Sequence, residues 1–183
     1  GVNSTLLYLL GFDYVPPRTW HTCQVEIRLG ADYIQEHFRD MIHIFPVYAG
    51  GIDYMALTPK GDYLTASAIG PHVKRADLEG LLSRLDISHE LPPKWKLSCH
   101  CHPKIPVSPA KRPYADRFVV IGDASYSRYL KNGIESALYT ASFAVEAALR
   151  EGISRRAFQR TFDRRGRRQF VRDNVWGKLI FRL

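Results

Sequence analysis

The sequence predicts an α+β chain, with an antiparallel sheet in its first half and helices at its end. Three observations predict it. Four short strand-like runs crowd residues 22–69, and one alternates strictly between apolar and polar side chains. A proline-rich stretch, residues 102–116, then interrupts regular structure with Pro103, Pro106, Pro109 and Pro113. Beyond it a short apolar run, residues 117–122, leads into a long alanine-rich pattern of helical period.

The elements follow in order. Leu6, Leu7, Leu9 and Leu10 give residues 1–11 the apolar face of a short helix, and Pro16-Pro17 makes residues 12–20 a loop. In residues 22–29, Cys23, Val25, Ile27 and Leu29 face one way and Gln24, Glu26 and Arg28 the other, as in a half-buried strand. Runs 41–48, 51–58 and 62–69 are joined by the turns Ala49-Gly50-Gly51 and Pro59-Lys60-Gly61-Asp62. Together these predict a meander of three to four antiparallel strands over residues 22–70. Leu78, Leu81, Leu82 and Leu85 mark a helix over residues 73–85, Pro92-Pro93 breaks the chain, and residues 95–101 can form a strand. Residues 117–122 read as a short buried strand. A helix opens at Asn132 or Gly133 and runs to Arg150, with Gly152 placed to terminate it, and Ser154 caps a second helix reaching about Asp173. No internal repeat is visible.

A composition of 45% hydrophobic and 24% charged residues is that of a globular protein and excludes a low-complexity chain. No apolar run approaches the ~18 residues of a membrane-spanning helix, and residues 2–10 are too short and mixed to predict a signal peptide. Three cysteines, Cys23, Cys99 and Cys101, argue against a disulfide framework and for a reducing, cytoplasmic compartment. The net charge of +8 is local. Residues 150–183 hold eleven Lys/Arg and three Asp/Glu, whereas residues 1–149 hold fifteen of each. The basicity belongs to the last segment and does not make the whole chain a nucleic-acid binder.

The stretch that carries most chemistry is Arg117-Phe-Val-Val-Ile-Gly122-Asp123-Ala124-Ser125, followed by Lys131-Asn132-Gly133-Ile134. An apolar strand ending in Gly-Asp lets the backbone approach a ligand and places a carboxylate where it can accept a hydrogen bond from a ribose or ribityl hydroxyl. The plain alternative is a turn aspartate. Gly133, Ala137, Ala141 and Ala144 or Ala148 set small side chains along one side of the following helix. Its N-terminus, carrying about half a positive charge, suits an anionic ring or a diphosphate. An alanine-rich packing face is the plain reading there.

These residues resemble the second FAD-binding motif of the p-hydroxybenzoate-hydroxylase-type flavoproteins, and more closely its geranylgeranyl-reductase-like branch of FAD-dependent oxidoreductases. The resemblance covers most of the chain. Gly1-Val2-Asn3-Ser4 is similar to the tail of the family's Asp-Gly motif. Gly51-Ile-Asp-Tyr54 with Leu57-Thr-Pro-Lys-Gly-Asp-Tyr-Leu64 is similar to its substrate-domain hairpin. The resemblance implies that Asp123, after Gly122, binds the ribityl chain, that Asn132, Gly133 and Ile134 line the flavin, and that Lys131 reaches the same region or the diphosphate. It implies substrate contacts from His43, Phe45 and Tyr54. The family's Gly-x-Gly-x-x-Gly turn is absent from these 183 residues, so the resemblance implies a fragment lacking the N-terminal dinucleotide-binding half. Met41 and His43 stand where the family carries larger aromatics.

The implied fold is an antiparallel substrate-binding sheet plus the C-terminal part of a split FAD-binding domain and a helical tail. Residues 1–11 are the remnant of the FAD domain, 12–102 the substrate domain, 103–150 the return to the FAD domain and 151–183 a basic helical extension. The implied activity is hydride transfer between FAD and an organic, lipid-like substrate. Two other classes stay open. One is a cofactor-free binding module, which the missing Gly-rich turn favours. The other is a basic protein of membrane surfaces or nucleic acid acting through its tail.

Cys99-His100-Cys101-His102 offers four metal-ligand types in a row. Alternate residues of an extended segment face opposite ways, however, and no second cysteine pair completes a zinc set. One thiol could instead serve a redox or substrate-contacting role. His43, beside Phe45 in an apolar run, reads first as a satisfied core histidine. In the tail, Arg155, Arg156, Arg160, Arg164, Arg165, Arg167, Arg168 and Arg172 share a helix with Phe158, Phe162 and Phe170. The plain reading is a solvated face, and the functional one is peripheral contact with anionic lipid headgroups. Nucleic acid is disfavoured, because the aromatics sit on the packing side.

Overall fold

The computed structural model describes residue 2 and residues 4–129 and 133–180. It divides into two compact units, Trp20–Lys104 and the discontinuous pair Gly1–Thr19 with Ile105–Leu183.

The first unit is a sheet covered by helices. Its strands are β1 (Thr19–Arg28), β2 (His43–Ala49), β3 (Ile52–Lys60), β4 (Tyr63–Gly70) and β5 (Leu97–Cys101), with α2 (Ala31–His37), α3 (Arg75–Leu82) and α4 (Leu85–Ser88) between them. The order across the sheet is β2-β3-β4-β1-β5, and neighbours are antiparallel. The expected meander is present in three strands, β2-β3-β4, and β1 joins it beside β4, with β5 on its other side and β2 at the far edge. Between β1 and β2 runs α2, a helix outside the elements expected from the sequence. Gly30 at φ +89° releases the chain from β1, and Ile34 and Phe38, four residues apart and buried, seat α2 in the core.

The alternation read in residues 22–29 holds. Cys23, Val25 and Ile27 are fully buried with Leu64, Ala66 and Ala68 opposite them on β4, over Leu78, Leu82 and Ile87. The β2–β3 turn approaches the end of β4 so closely that a Cβ on Gly70 would lie 2.0 Å from the Gly51 carbonyl oxygen. The helix expected over residues 73–85 is two helices, α3 and α4. The Asp77 carboxylate caps α3 by accepting from the Lys74 backbone N–H at 2.8 Å.

The second unit contains α1 (Leu6–Leu9), the strand β6 (Lys104–Pro106) at its boundary, a minimal hairpin of β7 (Tyr114–Ala115) and β8 (Phe118–Val119), a 3₁₀ turn (Gly122–Ala124) and α5 (Gly133–Glu151). The buried strand expected over residues 117–122 shrinks to two half-buried residues, because the β7–β8 hairpin turns through Arg117 at φ +58°. The final helix continues past Asp173. It runs through α6 (Arg155–Phe158), a π-helical turn (Gln159–Asp163), α7 (Arg164–Gly166), a second π-helical turn (Arg167–Val171) and α8 (Arg172–Ile180). Ser154 caps it, accepting from Ala157 N–H at 3.2 Å.

Within this helix Phe158, Phe162 and Phe170 are buried with Tyr114, Tyr126, Ala144 and Ala147 in one core. Where the chain leaves this unit and returns to it, Arg18 and Val107 meet. Val107 N–H donates to Arg18 O at 2.8 Å, and Arg18 N–H donates to Ser108 Oγ at 2.8 Å.

Candidate cofactor site at the start of α5

Gly122 has φ +65°, a left-handed conformation that glycine adopts without strain. Its N–H donates to Thr140 Oγ1 at 2.8 Å, and that hydroxyl donates to Ser136 O at 2.6 Å. The turn is thus seated on the buried stripe of α5, Ser136, Thr140, Ala144 and Ala147. This aims Asp123 at the first turn of α5, where a Cβ on Gly133 would lie 2.9 Å from Asp123 Oδ2. A carboxylate at a helix N-terminus is stabilised by the helix dipole.

Two polar atoms at this turn are buried without a hydrogen-bond partner among the described residues, Asp123 Oδ1 and Ser125 Oγ. Ser125 is 1% exposed. The neighbouring backbone, by contrast, is satisfied: Tyr14 Oη donates to Ala124 O at 2.6 Å, and Ala110 N–H donates to Ser125 O at 2.8 Å. An unpaired buried polar group costs about 1–3 kcal/mol, so a partner supplied to either atom would stabilise the turn.

The C-terminal helix holds the loop that follows. Tyr126 Oη donates to Asp163, which also accepts from Arg167 Nε at 2.8 Å. Burial first, and then the bond to Asp163, raise the Tyr126 phenol above its ordinary range. Asn174 accepts from Tyr129 N–H at 2.6 Å and donates to Ser127 O at 2.8 Å, while Arg128 bridges Glu135 and Asp173. The sequence reading missed this clamp. Its signal lay in the polar residues Asp163 and Asn174 on the same helix as the phenylalanines.

Of the residues expected to hold a cofactor, Gly122, Asp123 and Gly133 come together. Ile134, the next residue of α5, is 89% exposed. Lys131 and Asn132 lie outside the described residues.

The proposed substrate residues separate. His43 and Phe45 turn toward the core of the sheet unit. His43 Nδ1 is 3.2 Å from Glu90 Oε2 and its ring centroid 5.0 Å from that of buried Phe38, while Phe45 packs on the core with Met55 opposite. Tyr54, next to Met55 in β3, takes the other face. That face carries a row the sequence did not reveal: Ala56, Ser67, Gln24 and Cys101 are successive cross-strand partners, with Ser67 Oγ 3.4 Å from Gln24 Oε1. Cys99 shares the face and donates to Glu26 at 3.5 Å. Desolvation and that bond hold its thiol above the ordinary value, which disfavours the nucleophilic thiolate. All three cysteines are free thiols. Among the described residues, no group of three or more His, Cys, Asp or Glu could hold a metal ion, and no helix is long and apolar enough to cross a membrane.

No protein-family model matches the chain. No curated protein sequence matches it either. Solved structures do resemble it. The rebeccamycin biosynthetic enzyme RebC with reduced flavin superposes with a TM-score of 0.58 at 16% identity, over 83% of this chain and 30% of that one. The p-nitrophenol 4-monooxygenase PnpA from Pseudomonas putida DLL-E4 gives 0.57 at 17%, over 90% and 44%. The myxobacterial chondrochloren halogenase CndH, a variant of FAD-dependent halogenases, gives 0.57 at 18%, over 86% and 40%. The chain spans less than half the length of each. At this identity the likeness establishes architecture: mixed helix and antiparallel sheet arranged as in part of a flavin-dependent monooxygenase fold.

Proposed function

We propose that this chain is part of an FAD-dependent oxidoreductase and supplies the ribityl-binding turn of its cofactor site. The observation that carries this reading is the pair of buried polar atoms at the N-terminus of α5, Asp123 Oδ1 and Ser125 Oγ, that have no hydrogen-bond partner among the described residues. These residues fit a polyhydroxylated chain. A carboxylate accepts hydrogen bonds from hydroxyls, a serine hydroxyl both accepts and donates, and the missing side chain of Gly133 lets the Asp123 carboxylate lie against the first turn of α5. The helix N-terminus favours negative charge on what binds there. The similarity to RebC, PnpA and CndH supports the same reading through the fold.

When bound, the flavin would supply the redox chemistry, which we propose to be hydride transfer to or from an organic substrate. The protein's own groups position and desolvate. Asp123 and Ser125 hold hydroxyls, Thr140 fixes the Gly122 turn, and Tyr126, Asp163 and Asn174 keep the loop rigid. For the substrate we propose the polar sheet face around Tyr54, Gln24 and Ser67. His43 and Phe45 are assigned to packing. A geranylgeranyl-reductase-like, lipid-like substrate remains our proposal for its class, on the motif resemblance alone. We also propose that a dinucleotide-binding half completes the site. Leu138, Val145 and Leu149 form an exposed apolar stripe along α5 for it to cover.

The test is Asp123→Ala in the complete gene product. The parent is expected to purify with the two visible absorption bands of oxidised flavin. The variant is expected to bind FAD roughly 10- to 100-fold more weakly, the loss of a charged hydrogen bond worth about 1.5–3 kcal/mol, with unchanged circular dichroism. Equal FAD affinity in the two proteins would refute the assignment.

A further inference from the structure

The C-terminal helix is wound so that four-residue spacing stays on one face. Its buried side reads Phe158, Phe162, Gly166, Phe170, Asn174, and its exposed side reads Arg156, Arg160, Arg164, Arg168, Arg172, Trp176. In a regular α-helix each four-residue step overshoots a full turn by ~40°, so such rows would coil around the axis. The two π-helical turns, Gln159–Asp163 and Arg167–Val171, hold more residues per turn and cancel the drift. Five arginines are thereby set in a straight line.

Pairing divides the arginines of this region in two. Arg150 and Arg165 share Glu146, Arg155 reaches Asp13, and Arg167 is held by Asp163. Of the nearby acids, Asp173 binds Arg128, while Glu151 accepts from Thr161 and is, among the described residues, the one carboxylate lining the cleft described below. The five arginines of the exposed line have no ion-pair partner among the described residues. Arg160, Arg164 and Arg168, with Arg165 and Thr161, line a cleft of about 640 Å³. Where the line ends, the surface becomes apolar, with Val175, Trp176 and Leu179 exposed by 64%, 67% and 50%.

We infer that this helix face docks on an anionic lipid surface, its arginines on headgroup phosphates and Trp176 with Val175 and Leu179 in the interfacial layer. Unpaired arginines in register supply electrostatic attraction. A tryptophan with aliphatic neighbours at one end supplies the apolar contact that a purely phosphate-reading surface would lack. A nucleic-acid backbone would use the same cations, but the exposed end of the row, Val175, Trp176 and Leu179, is apolar and contiguous, which suits a lipid interface better than a phosphate backbone, and Phe158, Phe162 and Phe170 are buried on the opposite side, away from any stacked base.

The test is co-sedimentation with vesicles of phosphatidylcholine alone or with a third phosphatidylglycerol. Binding is expected only to the anionic vesicles and to weaken with salt. Arg160→Gln/Arg164→Gln/Arg168→Gln is expected to reduce partitioning roughly a hundredfold, about fivefold per arginine. Trp176→Ser is expected to reduce it and to abolish the fluorescence blue shift on binding. A control of equal net charge, Arg28→Gln/Arg75→Gln/Arg84→Gln, removes exposed but paired arginines and is expected to bind as the parent does. Equal loss in both triple variants would overturn the inference. So would absence of vesicle binding, or tight oligonucleotide binding that survives Trp176→Ser with none to vesicles. Circular dichroism of each variant checks the fold, and flavin content is read separately.

Discussion

Gly166→Ala isolates how tightly the C-terminal helix is locked on the loop after Asp123. A Cβ at position 166 would stand 2.3 Å from Tyr126 Cδ2 and 2.7 Å from Cε2, against the 3.4 Å at which ordinary contact begins. The ring would have to retreat by more than an ångström. It has nowhere to go, because Tyr126 is fully buried and its hydroxyl is bonded to Asp163 on the same helix. Overpacking of this kind costs about 1–3 kcal/mol or more, while alanine in place of a helical glycine returns about 1 kcal/mol.

Gly177→Ala provides the contrast. That Cβ would meet Tyr129 Cβ at 3.6 Å, an ordinary contact, so the helical gain stands alone. At about 2–4 °C per kcal/mol for a chain of this size, thermal unfolding followed by circular dichroism is expected to fall by up to roughly 8 °C for Gly166→Ala and to rise by up to ~4 °C for Gly177→Ala. A rise of the same size in both would refute the tight seat of Tyr126 against Gly166.

Other outcomes follow from the same contacts. Burial, with Tyr8 nearby, pushes the Tyr14 phenol up to about 12 from its ordinary 10. A raised phenol stabilises the fold below pH 10 and loses that contribution as pH rises through 12, an alkaline loss of about 3 kcal/mol. Tyr14→Phe is expected to flatten the fall in urea midpoint between pH 10 and 12, and an unchanged slope would count against the buried position. Thr140→Val keeps the shape but strands the Gly122 N–H, so it is expected to cost about 1–3 kcal/mol in urea unfolding; Thr140→Ser is expected to restore most of it. Failure of serine to rescue would mean that the hydroxyl does not hold the turn.

The sheet was legible where period and turn chemistry agree. The alternation of residues 22–29 and the turns at Gly51 and Gly61 locate β1, β3 and β4 within a few residues. The helix α2 was not legible, because its two buried anchors Ile34 and Phe38 are too few to announce a helix by themselves. At the candidate site, Gly122, Asp123 and Gly133 could be named in advance, since local backbone demands leave a mark in composition. The clamp from Asp163 and Asn174 could not, because it depends on partners 37 to 47 residues away. The arginine line depends on π-helical turns that no short-range pattern signals.

The meeting of Arg18 and Val107 has a corollary. A polypeptide that departs and re-enters through adjacent, hydrogen-bonded positions can accept a different insert at that junction without unravelling its host. Replacing the intervening sheet with a short glycine linker should leave a foldable remainder. Among the described residues, the host's own core of Tyr114, Tyr126, Phe158, Phe162 and Phe170 draws no residue from the intervening sheet.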